Sequence, residues 1–296
     1  MQVSMATSAG RAGEPNEDFV GVVPGAVVLL DGAGIPGSES FCSHGVAWYT
    51  HRLGGALLGR LSRDDGHDLT AILAAAIGEI ANGHRGTCDI TDPSSPQSTV
   101  LVVRARRGRL DYLLLADSFL VLDQGCRGAQ VITDEREVAS RHICAAPLDG
   151  VPRATQEYDR VRDSCVEAMR ARRNQPGGYW IAKDDPHAAA EAVIGSRPLQ
   201  DLDSVVLLSN GASRIVSPYG LTGWPGVLRL LGSHGPADII RRVRLAEARN
   251  VGGLDAEEPD DATVAYCTHL PRSEAGEASA SSCPDSRPES LPWQRS

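Results

Sequence analysis

Short apolar runs separated by tight turn sequences are the feature of this chain that most restricts its fold. Segments 98–104 and 110–116 flank a turn containing Arg106-Arg107-Gly108-Arg109, which predicts a β-hairpin. Segments 119–123 and 129–133 flank the polar stretch 124–128 and predict a second hairpin. Further strands are predicted at 26–30, 205–209 and 262–267. Strands joined by such short connections favour antiparallel sheets.

Helical periodicity appears between these strands. Apolar residues recur every three or four positions at Val46, Tyr49, Leu53, Leu57 and Leu61, and again over 69–80. The Asp/Gly-rich run 63–68 between the two helices predicts an antiparallel pair. Further helices are predicted at 154–172, 186–193 and 236–249. Strands in runs and helices in pairs predict a layered α+β fold in which antiparallel sheets carry helices on their outer faces.

Composition excludes several classes of protein. The 296 residues carry a net charge of −9, which argues against a nucleic acid or an anionic membrane as partner. Seven cysteines without a CxxC pair exclude a zinc ribbon and disfavour a disulfide framework, so buried free thiols are expected. No apolar run approaches the roughly 20 residues that span a bilayer, and the first residues do not resemble a signal peptide. We therefore expect a cytoplasmic protein.

The end of the chain differs in composition from the rest. Residues 270–296 are rich in Ser, Pro, Glu and Ala and nearly lack aliphatic side chains. Such a segment buries too little apolar surface to offset the entropy of ordering. The sequence predicts one domain over 1–269 and a disordered tail over 270–296, and it leaves the oligomeric state open.

Acidic residues stand where apolar strands begin or end. They are Glu17, Asp18, Asp31, Asp117, Asp260 and Asp261. A single aspartate at a strand end is most often a turn residue or a helix cap. Taken together, oxygen ligands of this kind suit hard cations such as Mg²⁺ or Mn²⁺. Spacing alone leaves the metal site and the turn interpretation equally open.

These motifs, in this order, resemble those of the metal-dependent protein phosphatase family, type 2C, in its bacterial serine/threonine branch. The matching motifs span nearly all of 1–268: Asn16-Glu17-Asp18, Asp31-Gly32-Ala33-Gly34, Ser98-Thr99, Ala116-Asp117-Ser118, Thr133-Asp134, Ser209-Asn210-Gly211 and Asp260-Asp261-Ala262-Thr263-Val264. The segment NQPGGYWIA (174–182) is similar to segments of actinobacterial members. The resemblance implies a four-layer α-β-β-α sandwich with two antiparallel sheets between helix pairs.

The resemblance also implies roles for individual residues. Asp31 would bridge two Mn²⁺ or Mg²⁺ ions, the Gly32 carbonyl would bind one of them, and Asp260 would bind the other. Glu17 and Asp18 would hold metal-bound waters, and Asp117 would serve a third, weaker ion. The expected activity is hydrolysis of phosphoserine or phosphothreonine in a phosphoprotein by a metal-bound hydroxide, without a covalent enzyme intermediate.

Three positions depart from the family pattern. Asn210 stands where the family has an aspartate ligand, and its amide oxygen lacks that charge. Arg11, a candidate phosphate contact, lies two residues before the usual arginine position, which is Gly13 here. Ala33 replaces a histidine found in some members. Two hypotheses follow: a phosphatase whose activity is weakened at Asn210, or a non-catalytic regulatory relative that has lost a metal ligand.

The remaining candidates are weaker. The eight histidines show no ligand spacing, and the helical face that carries His44 and His51 is expected to be a surface. Trp180 is expected to anchor the core. Segment 141–176 falls where the family often has a mobile flap. Its arginines, Arg170, Arg172 and Arg173, are expected to lie on a solvated helix face.

Overall fold

The computed structural model describes residues 1–34, 42–63, 65–84, 86–152, 155–250 and 258–271. It contains two five-stranded antiparallel sheets, with strands numbered along the chain. The first sheet has the spatial order β1 (Gln2–Ser8), β12 (Ala262–Thr268), β11 (Ser204–Leu208), β8 (Phe119–Asp123) and β9 (Ala129–Ile132). The second has the order β10 (Val193–Pro198), β7 (Arg109–Leu115), β6 (Val100–Arg106), β3 (Ala26–Leu30) and β2 (Phe19–Val23). A short ladder pairs β4 (Gly32–Ala33) with β5 (Gln97–Ser98).

The helices lie outside the sheets. They are α1 (Gly45–Leu61), α2 (Leu69–His84), α3 (Arg136–Ala145), α4 (Gln156–Arg172), α5 (Asn210–Ser213), α6 (Trp224–His234) and α7 (Pro236–Asn250). Asp68 caps α2, because its carboxylate accepts the backbone N–H of Ala71 at 2.6 Å. The pair α1–α2 packs on the second sheet, and α6–α7 packs on the first.

The alternating side chains of β3 show why the layers form. Val28 and Leu30 point to the cluster that includes α1 and α2, whereas Val27 and Leu29 point to the cluster between the two sheets. Every residue of β3 is buried, so both faces of this central strand are covered. The predicted four-layer α-β-β-α sandwich is confirmed.

Several elements differ from the sequence prediction. The helix predicted at 186–193 is wrong: Pro186–Glu191 forms a 3₁₀ helix, and the chain then becomes edge strand β10, paired with β7. Most of β10 is only partly buried, so it lacks the alternation that marks a strand. Helices α3 and α6 were not predicted, since α3 buries only Ser140 and Cys144 and α6 opens on Trp-Pro-Gly.

Trp180 and Leu270 are both buried in the core. Trp180 is buried in the α1–α2 cluster, as expected of a core anchor. Leu270 is also buried, in the cluster between the sheets. Most of the predicted tail, 272–296, lies outside the described residues.

Five of the six cysteines in the described ranges are free thiols, as expected, although Cys88 and Cys165 are only partly buried; Cys283 lies outside those ranges. The free thiols are Cys42, Cys88, Cys144, Cys165 and Cys267. Cys126 is disulfide-bonded, so the expectation of a free thiol is wrong at that position.

None of the helices in the described ranges has the length and apolar content needed to cross a bilayer.

Truncation of Leu53 tests the outer layer of the core. Leu53 is fully buried in the cluster that joins α1 to the second sheet. Leu53→Ala removes buried contacts and leaves a cavity, so we expect a loss of about 2–5 kcal/mol in the free energy of unfolding. Chemical denaturation followed by circular dichroism measures it. The matched control is Leu245→Ala, since Leu245 is exposed; equal losses in both variants would contradict the layer assignment.

Candidate metal centre

Asp31 and Gly32 are held where the chain leaves β3 and enters the β4–β5 ladder. The Asp31 N–H donates to Thr99 Oγ1 at 3.0 Å, and the Thr99 N–H donates to the Asp31 carbonyl at 2.9 Å. The Thr99 hydroxyl also lies 2.8 Å from that of Ser118. The Ser-Thr and Ala-Asp-Ser motifs therefore fix the backbone that presents the Asp31 carboxylate.

Gly32 has no room for a side chain. A Cβ atom at this position would lie 2.4 Å from the Glu17 carbonyl oxygen and 2.8 Å from both Thr50 Oγ1 and Val46 Cγ1. The absence of a Cβ lets this backbone run between the 10–18 loop and α1.

Asn210 joins two of the predicted acidic residues. Its backbone N–H donates to Asp31 Oδ2 at 2.9 Å, and its side-chain Nδ2 donates to Asp117 Oδ2 at 2.8 Å. Asp31, Asp117 and Asn210 therefore meet at one place. Gly211 is required next to it, because a Cβ there would lie 2.0 Å from the Asp261 carbonyl oxygen.

Asp260 and Asp261, which immediately precede β12, accept hydrogen bonds from different parts of the protein. Asp261 accepts the backbone N–H groups of Gly10 at 2.7 Å and Glu17 at 2.5 Å, and so holds the N-terminal loop. The carboxylate of Asp260 instead accepts a hydrogen bond from the Arg214 guanidinium, with 3.0 Å between Nη2 and Oδ2. The positioning role of Asp261 was not predicted, because backbone N–H partners so distant in the chain leave no mark in the sequence.

The carboxylate of Asp18 is buried without a partner. Only 2% of the residue is exposed, and neither carboxylate oxygen has a hydrogen bond within the described structure. Burial raises the pKa of Asp18 to about 7, and the hydroxyls of Thr263 and Ser209, which lie near it without hydrogen-bond geometry, only partly offset this rise. Burial and the charge of Asp261 likewise raise the pKa of Glu17 to about 7.

The other acidic residues show the same electrostatic strain. Burial, followed by the charges of Asp18, Asp260 and Asp117, raises the pKa of Asp31 well above its ordinary value. Burial also raises the pKa of Asp117 and that of Asp260, although Arg141 and Arg214 respectively oppose it. A divalent cation stabilises the ionised form of neighbouring carboxylates whose ionisation is otherwise unfavourable. The oxygen-only ligands and the unpartnered Asp18 therefore fit Mn²⁺ or Mg²⁺.

Arginines surround this cluster. Arg11 contacts Glu258 at 2.5 Å and Glu14 at 3.5 Å, so it lies at the rim, beside a residue that precedes Asp260 by two positions in the chain. Arg141 of α3 lies 3.6 Å from Asp117 and 2.9 Å from Glu137. Arg141 and Glu137 were missed because α3 was not predicted.

Arg170, Arg172 and Arg173 each make a hydrogen bond or an ion pair with another residue of the chain. Arg173 donates to the Tyr179 hydroxyl at 3.1 Å, and Arg172 donates to the Gly177 carbonyl at 3.0 Å. Arg170 pairs with Glu167. The expectation of a purely solvated face is wrong for Arg172 and Arg173, because each fixes the turn that leads to Trp180.

A family model described as "Protein phosphatase 2C" matches residues 6–230. No curated protein matches the chain significantly.

Solved structures share the fold. The serine/threonine phosphatase PstP/Ppp of Mycobacterium tuberculosis is 20% identical with a TM-score of 0.54, over 90% of this chain and 97% of that one. The catalytic domain of PstP in complex with two manganese ions is 19% identical with a TM-score of 0.55, over 90% and 96%. Stp1 of Staphylococcus aureus is 16% identical with a TM-score of 0.55, over 90% and 94%.

Replacement of Thr99 tests how the Asp31 backbone is held. Thr99→Val keeps the shape of the side chain but leaves the Asp31 N–H without its acceptor. We expect a loss of about 1–3 kcal/mol in the free energy of unfolding, measured by denaturant titration. Thr91→Val is the control, since the Thr91 hydroxyl bonds only exposed Asp89 in the described structure. Unchanged stability in Thr99→Val would show that this hydrogen bond does not hold Asp31.

Proposed function

The chain belongs to the protein phosphatase 2C family, and from this premise we propose that it hydrolyses phosphoserine and phosphothreonine in cytoplasmic phosphoproteins with Mn²⁺ or Mg²⁺. It is a phosphoric monoester hydrolase of the metal-dependent serine/threonine class. The observation that carries the metal assignment is the Asp18 carboxylate, which is buried and has no hydrogen-bond partner in the described structure. A buried carboxylate of this kind is stable only with a proton or a cation beside it.

The proposed ligands are those that the family resemblance implies. Asp31, the Gly32 carbonyl and Asp260 would together hold two ions. Glu17 and Asp18 would hold the waters around them, and Asp117 with Asn210 would hold a third, weaker ion. When bound, such ions lower the pKa of a water and neutralise charge on the phosphoryl group.

The residues of this chain supply the orientation. The Asn210 N–H occupies one oxygen of Asp31 and thereby sets the rotation of its carboxylate. Asp261 holds the backbone of Gly10 and Glu17, so the N-terminal loop stays against the site. Arg11 would bind the substrate phosphate from the rim, after exchanging Glu258 for the phosphate oxygens.

Asn210 does not by itself favour the non-catalytic alternative. Its amide still offers an oxygen ligand, and Asp31, Asp117 and Asp260 remain in place around it. Its Nδ2 currently relieves Asp117. An amide without negative charge should lower affinity for the cation and leave the site able to form.

Hydrolysis of p-nitrophenyl phosphate and of a phosphothreonine peptide tests the proposal. We expect turnover that depends on Mn²⁺, and a loss in Asp31→Asn larger than the roughly 10–100-fold typical of residues that only orient a ligand. Asn210→Asp should lower the Mn²⁺ concentration at half-maximal activity by about tenfold or more. Asp163→Asn on exposed α4 is the matched control.

Two outcomes would contradict the proposal. Activity in Asn210→Asp with none in the wild type would identify the chain as a non-catalytic relative. No activity in either protein, together with no binding of Mn²⁺, would refute the metal site.

The raised carboxyl pKa values predict how pH changes stabilisation by metal. The folded-state pKa of Asp18 is about 7 against an ordinary 3.8, so the metal-free fold loses stability as pH rises through that range. Mn²⁺ must displace the protons, so the rise in Tm with Mn²⁺ should be larger at about pH 8 than at about pH 6. Differential scanning fluorimetry measures it, and Asp31→Asn should show little rise at either pH. An equal rise at both values would contradict the assignment.

A further inference from the structure

Two cysteines and two histidines converge at the end of the α1–α2 pair opposite its short connection. The thiol–imidazole cluster consists of Cys42, His44, His84 and Cys88, whose potential ligand atoms all lie within 4.8 Å of one another. Cys42 and His44 immediately precede α1. His84 ends α2, and Cys88 follows in the next turn. The spacing of the histidines did not reveal this cluster, because each histidine lies close to a cysteine in the sequence and the two halves are far apart in the chain.

Three of the six distances between ligand atoms in the cluster match the edges of a tetrahedral zinc site. Zinc bonded at about 2.3 Å to sulfur and about 2.0–2.1 Å to nitrogen places ligand atoms about 3.3–3.8 Å apart. Cys42 Sγ lies 3.5 Å from His84 Nε2 and 3.8 Å from His44 Nδ1. Cys88 Sγ lies 3.2 Å from His44 Nδ1. Each of these separations is close to one edge of such a tetrahedron.

His84 is oriented as a metal ligand by its other nitrogen. Nδ1 lies 3.1 Å from the carbonyl oxygen of Ile80, which can only accept, so Nδ1 carries the proton. Nε2 therefore presents its lone pair toward Cys42. Histidine ligands are commonly fixed in this way by a backbone carbonyl.

Aromatic packing encloses the cluster. Trp48 stacks on His44 with ring centroids 4.3 Å apart and meets the edge of His84 at 4.8 Å. Cys42 and His84 are each 1% exposed, whereas His44 and Cys88 are only partly buried. The site is thus closed on its inner side and open to an entering ion on its outer side.

We propose that Cys42, His44, His84 and Cys88 bind one zinc ion in a structural site whose four coordination positions are all filled by protein ligands. Two sulfur and two nitrogen ligands suit zinc, whereas the oxygen-only carboxylate cluster suits Mn²⁺ or Mg²⁺. Binding converts both thiols to thiolates and releases their protons. This assignment does not require that the chain is a phosphatase.

The position of this ion gives it a structural task. It would tie the segment before α1 to the end of α2, two regions joined otherwise by helix packing. Val46, in the first turn of α1, packs directly against Gly32, whose missing Cβ would lie 2.8 Å from it. Zinc at the cluster would therefore hold the helix end on which the Asp31-Gly32 backbone rests.

Metal analysis of the full chain tests the proposal. Protein expressed with zinc in the medium and dialysed against metal-free buffer should contain about one zinc per chain by mass spectrometry of the elements. Cys88→Ser and His44→Ala should lose it. Cys165→Ser, which removes a free thiol of α4, and Asp31→Asn, which removes a carboxylate of the other site, should keep it.

Cobalt substitution gives a second reading that needs no variant. Co²⁺ added to the metal-free wild type should produce thiolate-to-cobalt charge transfer and the intense visible bands of tetrahedral coordination, and zinc should abolish both. Zinc content no higher than in Cys88→Ser, or the absence of thiolate-to-cobalt charge transfer and of tetrahedral bands, would overturn the proposal. A Cys42–Cys88 disulfide in the isolated protein, found by thiol titration and peptide mapping, would overturn it as well.

Discussion

The withdrawal of several neighbouring carboxylates from water is the constraint on which the rest of this structure depends. Asp18, Asp31, Asp117 and Asp260 come from four separate parts of the chain, and burial raises the pKa of each. The fold brings them together only because backbone groups and hydroxyls hold their positions. Thr99 holds the backbone of Asp31, and Asp261 holds the backbone of Gly10 and Glu17. The sandwich can therefore be understood as a rigid frame around an unfavourable concentration of charge.

Regular periodicity made most of the frame predictable. The β6–β7 hairpin and the α1–α2 pair bury aliphatic side chains in the core clusters, so their patterns reflect the layers directly. Prediction failed where that relation weakens. Strand β10 lies at a sheet edge and is only partly buried, and α3 places little of its surface in any core. Edges and peripheral helices carry a weak pattern because solvent, and not packing, surrounds them.

The metal centre was predictable as a set of motifs and unpredictable as a set of contacts. Glu17, Asp18, Asp31, Asp117 and Asp260 were identified from acidic residues at strand ends and from the family resemblance. The two N–H groups bound by Asp261 and the approach of Arg141 depend on pairings between distant segments. The same holds for Cys42, His44, His84 and Cys88, whose two halves lie about 40 residues apart in the sequence and meet only because α1 and α2 are antiparallel.

The α3–α4 pair gives the protein a second level of cooperativity. Helix α4 buries none of its residues, and α3 buries only Ser140 and Cys144. Regions with so few buried contacts open at a far lower free energy than the whole domain. Since Arg141 of α3 lies beside Asp117, each such opening removes a positive charge from the carboxylate cluster while the four layers stay intact. The electrostatic balance of the centre thus fluctuates with a local equilibrium of its own.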